Sequence, residues 1–247
     1  MIHLFQVVFY QPILNLLVFL YNSVTLHDLG LAIILLTVII KLILWPLSRK
    51  SIRSQKALQL LQPKIDELKV KYKDNQQEMG RELMDLYKQN KVNPFSSCLP
   101  LLLQLPFFIA VYRVFRDGLQ NHLDLVYSFV PRPETINPVF LGFLDLSKPN
   151  IALAILAGAA QFWQAKMMMA KRVDTKIAGE GAKDENMAAI MNKQMLYFMP
   201  AITIFIGITL PGGLTLYWLV ITLVTILQQR VTRSSNKKGP IEGQIIN

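Results

Sequence analysis

Lys41 lies inside "GLAIILLTVIIKLILWPLSRKS" (30–51), a run otherwise apolar enough to cross a bilayer. Thr37 stands four residues before it and Ser48 seven after, which puts all three along one helical face. Further polar residues recur within apolar runs: Gln104; Gln161 and Gln164, three apart; and Tyr217, Trp218, Thr222 and Thr225, the last three at near-helical spacing. Side chains of this kind either glue helices together or line a wet cavity. Lys41 is about six residues from the basic end of its run, roughly 9 Å deep. A charge near the bilayer centre costs about 2.5 to 3.5 kcal/mol on the lenient insertion scale. Two readings stay open: the four-carbon stem snorkels to the interface, or water reaches the ammonium through a cavity open on the basic side. The apolar runs contain no Asp or Glu to pair with it, which favours water over a salt bridge.

Other chemistries drop out early. One cysteine, Cys98, excludes an internal disulfide framework, and His3, His27 and His122 are too scattered for a readable metal site. Cys98 has no neighbouring histidine and sits in "SSCLP", a turn into an apolar run, where it reads as a packing residue. There is no phosphate-binding glycine loop. The expectation is a chain that is not an enzyme and uses no cofactor or metal.

The elements that must position these residues follow from hydropathy. The 247 residues are 52% hydrophobic and 17% charged, with a mean hydropathy of +0.34, values that point to a membrane protein. Five segments approach the 17 to 25 residues that a bilayer core of about 30 Å requires: 29–47, 95–112, 149–165, 194–210 and 212–227. The last three span only about 25 Å each, so local thinning of the bilayer is expected. In "LFQVVFYQPILNLLVFLYNSV", Gln11, Asn15 and Asn22 fall within about 40° on a helical wheel. That stripe favours an interfacial amphipathic helix over a sixth span, and the missing basic flank argues against a cleavable signal peptide.

Basic residues orient the chain. Residues 49–91 carry eleven, 166–193 six and the tail from Arg230 four, against Arg132 and Lys148 in 118–148 and none in 1–28. All three basic regions belong in the cytoplasm, so five spans put the N-terminus outside and the C-terminus inside. Between the first two spans, Leu58, Leu61, Ile65, Leu68 and Tyr72 keep helical spacing, "KDNQQ" interrupts it, and Met79, Leu83 and Leu86 resume it. A helical hairpin is predicted there, either a plain solvated pair or a mobile cap meeting partners at the membrane surface. Its positive charge suits anionic headgroups or ribosomal RNA.

"GLAIILLTVIIKLILWPLSRKS", "LQPKIDELKVKY", "ELMDLYKQNKVNPFSSCLPLLLQLPFF" and "MPAITIFIGITLPGGLTLYWLVITLVTILQQ" resemble the successive signatures of the YidC family of membrane protein insertases, which has mitochondrial and chloroplast relatives. The match covers about residues 10–233. The resemblance implies an all-α fold with five core spans around a hydrophilic groove, open to cytosol and lipid and closed outside. Lys41 takes the place of the usual arginine. Lysine keeps the charge but loses the planar five-donor fork, so charge attraction outlasts bidentate capture.

Carried over by position, Thr37, Lys41, Gln164 and Trp218 match polar groove residues, and the helical pattern adds Gln104 and Gln161 to them. Leu105, Pro106 and Tyr217 match a slide toward lipid, and Pro46 the proline that bends the first span. The expected division is 1–27, an extracytoplasmic interfacial helix; 28–48, the first span; 49–93, the cytosolic hairpin; and 94–116, the second span. An outer loop (117–148), the third span (149–169), a cytosolic loop (170–192) and the fourth span (193–210) follow. An outer turn (211–213), the fifth span (214–230) and a basic tail (231–247) complete it.

No large extracytoplasmic domain is expected before the first span. The short tail, with Arg230, Arg233, Lys237 and Lys238, leaves a ribosome-binding extension weak or absent. The implied activity is insertion of nascent membrane proteins at the bacterial inner (plasma) membrane by a monomer. Anionic lipids are expected partners, the Sec translocon and ribosome are candidates, and DNA is not. A scaffold for membrane-protein assembly, without insertase activity, would use the same helices without a wet groove. A secondary transporter would show an inverted repeat, broken helices in matching halves or an embedded carboxylate, and the sequence has none.

Overall fold

The computed structural model describes residues 2–93, 99–118, 123–168 and 194–235. Cys98, His122, the whole loop expected at 170–192 and the tail lysines Lys237 and Lys238 lie outside the described residues.

α1 (Ile2–Phe5) runs through a π turn (Gln6–Tyr10) into α2 (Gln11–Ser23), where Pro12 takes an early position that needs no donor. Asp28 caps α3 (Leu29–Ile43), accepting from the Leu31 N–H at 2.9 Å. The helix breaks at Leu44, and α4 (Trp45–Lys71) leaves at 69° to it. Pro46 lies in the first turn of α4. Its ring supplies no N–H to the carbonyl four residues back and crowds that carbonyl, which accounts for a bend there. The break therefore falls before Ser48, and one helix carries the chain from Trp45 into the basic segment. A turn at 72–75 follows, and Asn75 caps α5 (Gln76–Gln89) by accepting from Glu78 N–H at 3.1 Å. Leu61 and Ile65 are the buried apolar residues of α4, the helix on which α5 packs.

α6 (Leu99–Arg113) continues through a π turn (Val114–Gly118). The loop beyond it contains a single turn of 3₁₀ helix (Leu123–Leu125) and a two-stranded antiparallel hairpin, β1 (Val139–Phe140) with β2 (Leu144–Asp145), a small departure from an all-α chain. α7 (Ile151–Met168) follows, then a π turn (Gln194–Phe198) into α8 (Met199–Gly207), and finally α9 (Gly212–Ser235). α7 packs on α8 and α9, α9 on α3, α3 on α2, and α2 on α6.

Three described helical stretches are long and apolar enough to cross a membrane: His3–Ser23, Ile151–Met168 and Gly212–Thr232. The bent pair α3 and α4 makes a fourth if counted as one span. Three of the five runs that hydropathy predicts are among these, and His3–Ser23, expected as an interfacial helix, is an additional candidate; the other two runs are missing for local reasons. Leu196–Gly207 is apolar but short, and the segment expected at 95–112 begins outside the described residues.

The polar stripe of the N-terminal helix turns inward. Asn15 is 4% exposed; its amide donates to Leu125 O at 3.2 Å and to Gln11 O at 2.7 Å, and its carbonyl accepts from Tyr127 N at 2.6 Å. Gln11 donates to Leu125 O and Asn22 to Pro131 O. The stripe read from the sequence as facing headgroups thus holds the 123–131 loop onto the bundle, because unpaired loop carbonyls and N–H groups are costly at a buried surface. Asn15→Leu should cost about 1–3 kcal/mol by stranding Tyr127 N–H, while Leu125 O keeps the Gln11 amide. Thermal unfolding in detergent checks this, and an unchanged midpoint would refute it.

The turn after β2 seats α9. Leu146 and Lys148 carbonyls accept from Gly213 and Gly212 N–H at 2.9 Å each. Asp145 accepts from Lys148 Nζ at 2.8 Å and from Ser147 N and Oγ at 3.0 and 2.5 Å. The Lys148 hydrogen bond, followed by those from Ser147, holds the Asp145 carboxyl down at about 2. A depressed folded-state value means that these contacts contribute above the ordinary carboxylate range and are lost as pH falls toward 2. Titration followed by NMR should show Asp145 near that value in the parent, and closer to about 4 in Lys148→Met. Identical titrations in the two proteins would rule out the lysine as the cause.

Candidate functional site: a buried ammonium on a polar helix face

Threonines in apolar helices return their hydroxyl protons to their own backbone. Thr37 Oγ1 donates to Ile33 O at 2.6 Å, Thr222 to Trp218 O at 2.8 Å and Thr225 to Ile221 O at 2.6 Å. Each hydroxyl oxygen keeps lone pairs for a neighbour. Where α3 crosses α9, Lys41 Nζ donates to Thr225 Oγ1 at 2.8 Å. Lys41 is 8% exposed, and Thr37, one turn away on the same face, is fully buried. The ammonium's partner is a neutral hydroxyl; among the described residues no carboxylate pairs with it. Its charge is therefore solvated at one point but not cancelled.

α9 extends this environment toward the basic end. Trp218, Thr222, Gln228, Gln229 and Thr232 all lie within about 60° of Thr225 around the helix. Gln228 donates to Trp45 O at 3.3 Å, across the α3–α4 bend. The carboxamide oxygens of Gln228 and Gln229 are buried without a partner among the described residues. A buried acceptor without a partner costs about 1–3 kcal/mol, and such groups are the usual hosts of internal water. A cleft bordered by Arg53, Gln55, Lys56, Gln59, Gln229 and Thr232 leaves about 20 Å³ for the centre of a water molecule, room for one.

The other expected residues fall into two separate contacts. Gln104 on α6 donates to the hydroxyl of Tyr217 on α9, and Phe108 meets Trp218 edge-on at 5.5 Å. Tyr217 is completely buried, whereas Leu105 is 42% exposed and Pro106 half-buried. The open apolar surface of this group is therefore Leu105, with Tyr217 acting from behind through Gln104. Gln161 on α7 is hydrogen bonded to Thr203 on α8, so it joins those helices and makes no hydrogen bond to Lys41. Gln164 is half-buried on the same helix.

Sequence reading of the site omits Thr203, Gln228, Gln229 and Thr232. The last three were detectable, since 225, 228, 229 and 232 continue the i, i+3, i+4, i+7 pattern begun at Trp218. Gln228 and Gln229 fall at the end of the expected fifth span and Thr232 just beyond it, past the polar face read at 218–225.

These features define a helical membrane protein whose packed helices enclose an uncancelled positive charge, reached from one end by a row of polar side chains. The chain belongs to the 60Kd inner membrane protein family, whose sequence model matches residues 19–239. It is 39% identical over 221 residues to the membrane protein insertase YidC of Syntrophus aciditrophicus (strain SB), covering 89% of this chain and 35% of that protein. Similarity to the proteins of the same name from Geotalea daltonii (37% over 227 residues, 91% and 37% covered) and Haemophilus influenzae (36% over 233, 93% and 37%) is of the same order. The chain spans about a third of the length of these curated relatives. The resemblance read from its motifs is thereby established, and the protein is a bacterial membrane protein.

Proposed function

We propose that this chain is a membrane protein insertase without covalent chemistry, whose substrates are nascent membrane proteins. The observation that carries the proposal is the Lys41–Thr225 contact: a buried ammonium answered only by a neutral hydroxyl, with a polar row leading from it to the basic end. In this reading five segments span the inner membrane with the N-terminus outside and the C-terminus in the cytoplasm. The 1–23 helix lies at the outer interface, the hairpin of α4 and α5 meets anionic headgroups, and the row on α9 is wet from the cytoplasm. The Sec translocon and ribosome are compatible partners.

A short, hydrophilic and acidic segment of the incoming chain enters along the α9 row. Lys41 attracts its carboxylates, and Thr37, Gln161, Gln164 and bound water lower the cost of dehydrating its backbone. A carboxylate needs to displace only the Thr225 hydroxyl, since no counter-ion among the described residues competes. The adjoining apolar segment passes Leu105, Pro106 and Trp218 into lipid, gaining about 25 cal/mol per Å² of apolar surface removed from water. A potential of about 100 mV, outside positive, adds up to about 2.3 kcal/mol per negative charge fully translocated.

Reconstitution tests this. Purified protein in liposomes should stimulate insertion of a small single-span protein with its N-terminus translocated. Insertion no better than in empty liposomes would leave an assembly scaffold as the reading.

A further inference from the structure

We infer that two apolar loop tips at the end of α3 remote from Lys41 insert into the acyl boundary of the facing leaflet, making up the membrane thickness that α3 does not span. The inference rests on reading α3 as a membrane span. Its fifteen residues reach about 22 Å, against a hydrocarbon core of about 30 Å. At its other end the exposed apolar surface already continues through the 69° bend, over Leu42, Ile43 and Leu47, so the shortfall left for other residues lies beyond Leu29.

Two tips continue the apolar surface there. Val24 and Leu26 between α2 and α3 are 51% and 92% exposed, and Leu141 and Phe143 of the β1–β2 turn are 56% and 79% exposed. Asp28 ties the tips together: one carboxylate oxygen accepts from Leu31 N–H and the other from Leu141 N–H at 2.7 Å. Phe140 packs against Gly30, where even a Cβ would meet its ring, so the hairpin sits directly on the start of α3. Leu26 and Leu141 both adopt φ near +50° (52° and 51°), a region that bulky residues rarely occupy. These conformations hold leucines outward where a water-facing turn would place Gly or Asn.

The flanking polar groups are already engaged. His27 stacks edge-on against Tyr21, and Lys148, 78% exposed, pairs with Asp145 at 2.8 Å. Apolar tips whose flanking polar groups are already paired match an interfacial lipid surface better than water.

Nitroxide labels test the inference in the full chain carrying Cys98→Ser, reconstituted in phosphatidylethanolamine–phosphatidylglycerol vesicles. Single cysteines replace Leu26 or Phe143, with Glu134→Cys as a water-exposed reference and Ile155→Cys on α7 as a lipid reference. Labels at 26 and 143 should be several-fold less accessible to a nickel chelate than the label at 134, and accessible to oxygen like the label at 155. Nickel accessibility at 26 and 143 equal to that at 134 overturns the inference. Shielding from both nickel and oxygen also overturns it, because a protein surface would then cover the tips. If the label at 155 is itself in water, the span reading fails instead.

Discussion

Lys41→Met lowers insertion of substrates with acidic translocated segments about tenfold per pair of carboxylates lost to attraction, and leaves substrates with neutral segments nearly unchanged. Methionine keeps the length and apolar stem of lysine, so α3 still packs on α9. Thr225 keeps its bond to Ile221 O at 2.6 Å and is not stranded. What disappears is a charge that no carboxylate among the described residues cancels. At about 10 Å and an effective dielectric constant near 20, one carboxylate is attracted by roughly 1.5 kcal/mol. Partial screening by water in the row reduces two such interactions to about the 1.4 kcal/mol that equals a tenfold rate. Lys41→Arg restores the rate because attraction needs charge and not the donor pattern of lysine. The measurement is the initial rate of protease-protected product in proteoliposomes, with acidic and neutralised versions of one substrate. Equal rates for Lys41→Met and parent on the acidic substrate would remove the electrostatic step and leave the polar row as helix packing.

Gly158→Val separates α7 from α8 and should cost about 3 kcal/mol. A Cβ at Gly158 would lie 2.4 Å from Ile204 Cγ1 and 3.1 Å from the Pro200 carbonyl oxygen. The oxygen belongs to backbone and cannot turn aside. One turn earlier, Ala154 meets Gly207, where a Cβ would come within 2.9 Å of the alanine methyl. Small residues four apart on α7 therefore set how closely α8 approaches, the usual route to tight contact between helices in lipid, where dispersion and not water exclusion drives association. The same approach brings Gln161 to Thr203. Thermal unfolding in detergent, compared with Ala159→Val on the exposed side of α7, gives the effect. If Gly158→Val melts with the parent, α8 packs otherwise.

The membrane class, the family and the helical nature of the segments around Lys41 are legible in the amino-acid order alone. Those properties depend on near-neighbour patterns: the length of apolar runs, the spacing of polar residues by three and four, and motif order. The same order shows that Lys41 has no carboxylate on its own or any other apolar run, a fact of composition. The helices α4 and α5 were readable because Leu61 and Ile65 repeat at helical spacing and "KDNQQ", which contains the Asn75 cap, interrupts the pattern.

Partner choice was decided only by tertiary structure. Gln11, Asn15 and Asn22 form the same stripe whether they face headgroups or a loop 110 residues away in sequence, and only the fold shows the loop carbonyls opposite them. Gln161 and Gln104 look equivalent to Thr37 in the sequence, yet each is taken by a different neighbouring helix, Thr203 on α8 and Tyr217 on α9. Thr225 becomes the ammonium's partner because α3 crosses α9 at that height, across 184 residues of chain. Helical periodicity fixes which way a side chain points around its own axis; what it meets there depends on the crossing of two helices, which small residues such as Gly158 and the bend at Leu44 set in three dimensions.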